Sequence, residues 1–271
     1  MFSRHAFVFF LVCSLTTAAV AQAKPADGAT VARDLAGAGT LRVQGQRVAK
    51  LYLQSGAGLN AAAARQQIDK AVAQGDGELK RLEQRHAGQP AVARSVSRCA
   101  AAWRGLRDAA QQPYDPAGAE RVAQLAEELS NQASRLGLQL ESGADGESGR
   151  LIDLSTRQNM LAQRLARLYM QAQRGDRSQG LLVDIEQTRK EFDTGLRELE
   201  GAPENTGPAR DALALARQQW IFFDGAVRQT QAKAAGGKAL DVATTSERIE
   251  EVLAAVTARY VQDFGAPAKA R

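Results

Sequence analysis

The chain has 271 residues, enough for one large domain or two ordinary ones, and a formal net charge of +5. Lysines and arginines are interleaved with acids and form no basic block, which argues against a nucleic-acid-binding protein. Ala, Leu, Arg, Gln and Glu dominate and aromatics are only 5%, a composition that favours helices over strands.

Residues 1–23 read as a cleavable secretory signal. Arg4 supplies a basic start, residues 6–15 an apolar run, and Ala19-Val20-Ala21 or Ala21-Gln22-Ala23 a small-residue cleavage site. The run is too short for a comfortable membrane span, and Cys13 lacks the small preceding residue that lipidation wants. A soluble, exported protein is expected. Removing the signal leaves Cys99 with no disulfide partner. Its place one turn before Trp103 predicts a small buried apolar residue.

Helical spacing runs from Leu35 to about Ser55 without a proline. Leu35, Gly39, Arg42, Gln46, Ala49 and Leu53 share one stripe, with an apolar stripe of Leu41, Gly45, Val48 and Tyr52 beside it. Arg47, Lys50 and Gln54 point elsewhere and are expected to be solvated. Gly39 clears space one turn before Arg42, an arrangement that suits a small anion; the same arginine could also lie along a helix seam.

Asn60 reads as the N-cap of a second helix reaching about His86, and Pro90 fits the first turn of a third. Pro113 and Pro116 interrupt the pattern before a fourth helix from Ala117 to about Leu140. The glycine-rich stretch 143–149 then reads as a linker.

After it the pattern starts again. Residues 46–53, QRVAKLYL, return as residues 163–170, QRLARLYM, an offset of 117. The same offset takes Ile68 to Ile185, Leu79 to Leu196, Leu82 to Leu199 and Trp103 to Trp220. Such agreement predicts an internal duplication: an all-α fold of two tandem four-helix up-and-down bundles, residues 34–142 and 150–265. The matching tryptophans are expected to anchor the two cores.

Residues 38–47, AGTLRVQGQR, resemble the P-box that opens the periplasmic sensor domain of NarX-type nitrate/nitrite kinases. They also resemble the start of the PilJ-type N-terminal domain of methyl-accepting chemoreceptors. Residues 155–164, STRQNMLAQR, are similar to the PilJ version. The resemblance implies two tandem PilJ/NarX-like domains. It also implies a nitrate or nitrite site between paired P-box helices, at Gly39 and Arg42; Gln46, one turn on along the same stripe, is a further candidate. Thr156 and Asn159 stand at the positions of Gly39 and Arg42 in the second copy, so Asn159 is the matching candidate there. Such a module would act through a membrane sensor kinase or chemoreceptor. It would assemble as a homodimer or as an intramolecular pseudo-dimer. The rival expectation is a helical interaction protein that uses these faces for packing alone.

An enzyme is not expected. The mature chain offers one histidine, His86, and one cysteine, Cys99, with no paired metal-ligand spacing, no GxSxG turn and no phosphate-binding glycine loop. No metal or cofactor is therefore expected. The acidic pairs Glu127-Glu128 and Glu250-Glu251 read as solvated helix charge.

Overall fold

A computed structural model describes residues 28–141, 147–228 and 238–265. Among them it shows eight α-helices and no strand, in chain order α1 (Gly28–Gly56), α2 (Ala61–His86), α3 (Pro90–Ala110), α4 (Pro116–Glu141), α5 (Glu147–Gln173), α6 (Gln179–Glu200), α7 (Gly207–Arg228) and α8 (Ala239–Gly265). The fold is all-α. The proposed signal, residues 1–23, lies outside the described residues, as does most of the proposed linker. Helix α5 already includes Gly149, and α1 starts seven residues before Leu35.

Local chemistry sets several helix starts. Pro90 occupies the first turn of α3, where its missing N–H costs nothing. Asp115 accepts the Gly118 N–H at 2.9 Å at the start of α4, and Ser178 accepts the Leu181 N–H at 3.3 Å at the start of α6. Asn60 does precede α2, but in the left-handed region (φ 52°) and with no side-chain cap. There it serves the sharp reversal after α1 rather than the orphan amides of α2.

Helices α1–α4 pack among themselves, and so do α5–α8, as the repeat predicts. Ile68, Leu79, Leu82 and Trp103 are buried, and so are their counterparts Ile185, Leu196, Leu199 and Trp220. Trp103 donates its indole N–H to Asp76 at 2.7 Å and lies over Gly75, where any Cβ would overlap the ring. Trp220 instead stacks on Phe192, with centroids 4.2 Å apart. Cys99 is buried as expected.

The most extensive helix pairing crosses between the halves, α1 against α5. Their buried side chains join those of both halves in one continuous apolar core. Helix α1 is also flanked by α2, α4 and α8, which corrects the expected solvated face. Lys50 has no exposed surface, Gln54 is buried and Arg47 is only partly exposed. A helix surrounded on every side has no face left for water.

Candidate functional site

The α1–α5 contact is built around a size difference between repeat-equivalent positions. Gly39 faces Thr156, its own counterpart, so closely that an added Cβ would overlap the threonine side chain. The space cleared by Gly39 is thus filled by Thr156. One turn on, Arg42 is buried and turned towards α4 and α5. Its Nη2 donates to Asp153 Oδ1 at 2.6 Å and to Thr156 Oγ1 at 2.9 Å, and Nη1 reaches Ser134 Oγ at 3.4 Å. Its Nε is buried and has no hydrogen-bond partner. Asp153, which neutralises it, is 36% exposed against 5% for the arginine side chain. The more solvent-accessible partner of this ion pair is therefore the carboxylate.

Gln46 belongs to a different network. Its Nε2 donates to Ser130 Oγ at 3.1 Å and its Oε1 accepts from Arg167 Nε at 2.9 Å. Asn159 turns the other way, donating to the Glu250 carbonyl at 3.2 Å, with Oδ1 buried and unpartnered. The four candidates thus divide. Gly39 and Arg42 meet at Thr156, Gln46 lies deeper along the seam, and Asn159 engages α8 on the other side.

Two charge clusters flank the seam in a crossed arrangement. Arg47 and Lys50 of the first half both pair with Glu247 of α8, and Arg164 and Arg167 of the second half both pair with Glu127 of α4. Burial pushes the Glu247 carboxyl up, but Lys50 and Arg47 outweigh it and hold the group below its ordinary value. Burial pulls the Lys50 ammonium down, and it brings Arg167 to about 10. Glu250 beside them is half-buried, which corrects the expected solvated face, and burial pushes its carboxyl up. Arg167 has a fork of donors and satisfies Gln46, Gln171 and Glu127 together. Lys50, a point donor at the same repeat position, reaches Ser246 and Glu247 and leaves Gln163 Oε1 without a partner.

The halves differ in how these clusters close. Helix α8 lies along α1, whereas α4 makes few direct contacts with α5. A cleft of about 360 Å³ opens there, with Arg42, Ser134, Asp153, Arg157 and Arg164 in its wall. Gly39, Gln46 and Asn159 do not line it. Asp153 and Ser134 escaped sequence reasoning because no local pattern marks them; Thr156 is visible there only as the counterpart of Gly39, not as its packing partner. The usable signal was the repeat, which places Thr156 opposite Gly39 once two-fold pairing is assumed.

No family model matches the chain, and no curated protein or solved structure does either. Among the described residues no group of three or more His, Cys, Asp or Glu side chains is arranged to hold a metal ion. No helix among them is long and apolar enough to cross a membrane.

Proposed function

We propose that this chain is a periplasmic binding or sensing module, an intramolecular pseudo-dimer that takes a small planar oxyanion of the nitrate or nitrite class at Arg42. Output would pass through a partner such as a membrane sensor kinase or chemoreceptor. The nitrate class comes from the P-box resemblance. The observation that carries the site is Arg42, a buried cation in the wall of an open cleft with one unpartnered N–H and a half-exposed counterion. An entering oxyanion would displace the Asp153 carboxylate and accept from Nη2 and Nε along the flat edge of the guanidinium, a geometry that suits a planar anion. Anion replaces anion, so the buried charge stays balanced. The cost of releasing Asp153 makes the net affinity modest.

A second reading is favoured by the same contacts. Thr156 fills the space over Gly39 and Asp153 neutralises Arg42, as a packing-only interaction protein would require. Calorimetric titration with nitrate, nitrite and chloride separates the two. The sensing reading expects binding of nitrate or nitrite by the wild type and tighter binding by Asp153→Asn. Absence of binding by both proteins at millimolar anion establishes the packing reading.

A further inference from the structure

The duplication provides an internal control for the surface. On α7, Ile221 is 61% and Phe222 71% exposed, and Leu215 lies exposed two turns earlier on the stripe of Phe222. Leu240, at the start of α8, joins Ile221 and Phe222 along a groove of about 680 Å³. The repeat-equivalent positions on α3 carry Arg98 for Leu215, Arg104 for Ile221 and Gly105 for Phe222. The same helix in the same fold therefore needs no apolar side chain at these places. Residues 229–237, which join α7 to α8 in the chain, contain no apolar residue larger than alanine.

We propose that the α7–α8 face is the contact surface of a closed, two-fold dimer of this chain. Three observations select a second copy as the occupant. First, the rim carries both signs, with Lys238 and Arg248 on one hand and Asp241 on the other. A two-fold axis can thus set the acid of one copy against a base of the next. Second, α7 is 22 residues long, about 33 Å at 1.5 Å per residue. With α8 beside it at roughly 10 Å, the face offers on the order of 600–700 Å², close to the ~800 Å² that each partner gives to a standard interface. Third, among the described residues only the second half carries the patch. Apolar patches on both halves would let contacts propagate into an open chain of molecules, whereas one self-complementary patch closes with two copies. The dimer is independent of the anion site, which lies between α4 and α5.

Light scattering and sedimentation of the mature protein over a concentration series test it. The wild type should show the mass of two chains at micromolar concentration. Ile221→Arg, which installs the residue found at the equivalent place on α3, should raise the dissociation constant at least roughly tenfold, as expected for a charge placed in an interface centre. Leu240→Ser, on the neighbouring helix, should do the same and covers the case in which the first variant misfolds. Arg104→Ala, on the first half, should leave the mass unchanged. A wild type that stays monomeric throughout, or a dimer that survives both Ile221→Arg and Leu240→Ser, overturns the proposal.

Discussion

Gly39 and Thr156 occupy the same position in the two halves of an internal repeat and pack directly on one another across the α1–α5 seam. Neither could be exchanged for the other without loss. A threonine at both places would overlap, and a glycine at both would leave a void and take away a hydrogen bond from Arg42. Gly39→Ala should therefore destabilise the protein by about 1–3 kcal/mol, the usual cost of overpacking. Thr156→Ala in the same chain should recover part of that loss. Denaturant unfolding of the two single variants and the double variant measures the coupling.

The anion proposal makes a graded prediction at Arg42. A charge-assisted hydrogen bond is worth about 1.5–3 kcal/mol, so Arg42→Ala should weaken nitrate or nitrite binding roughly ten- to a hundredfold. Asp153→Asn should move affinity in the opposite direction, because it removes the internal competitor. Asn159→Ala should change it little, since that side chain does not line the cleft. Titration calorimetry reads all three.

Glu247 ties Arg47 and the wholly buried Lys50 to α8. Glu247→Gln leaves a buried ammonium without its counterion and should cost about 3–5 kcal/mol. Because the folded carboxyl sits below its ordinary value of 4.5, its stabilisation is present above that pH and is lost as pH falls towards the folded value. Glu250 has the opposite sign. Its folded value is raised, so its ionised form opposes folding at neutral pH. Glu250→Gln should stabilise at pH 7, with the gain gone below about 4.5. Thermal melts across pH distinguish the two glutamates.

Burial pushes the Cys99 thiol up to about 12, so almost no thiolate exists at pH 8. A thiol reagent should leave the native protein unmodified for as long as it stays folded, and should label it fully in denaturant. Rapid labelling of the native state would show that α3 opens readily.

Proteolysis in residues 142–146 should leave the fragments together. Helices α1 and α5 share one core, so the cleaved halves should co-elute in gel filtration and separate only in denaturant. Separation under native conditions would mean that the α1–α5 seam contributes little.

The sequence alone determined the helices and their duplication. Apolar residues at helical spacing, Pro90 at a helix start, and the matches from Ile68 and Trp103 to Ile185 and Trp220 are local or periodic features, and such features survive without knowledge of neighbours. What surrounds α1 is a tertiary fact. Lys50 and Gln54 look solvated on a lone helix, and only the enclosure by α2, α4, α5 and α8 buries them. Arg42 was recognisable as an anomaly in its stripe, but its partners Asp153, Thr156 and Ser134 lie about a hundred residues away. The pairing of α1 with α5 decided that the arginine meets a carboxylate, that Thr156 fills the space over Gly39, and that the cleft opens beside α4 rather than α8. Spacing along one chain specifies which face a residue occupies; which surface meets that face depends on how all eight helices share the same buried volume.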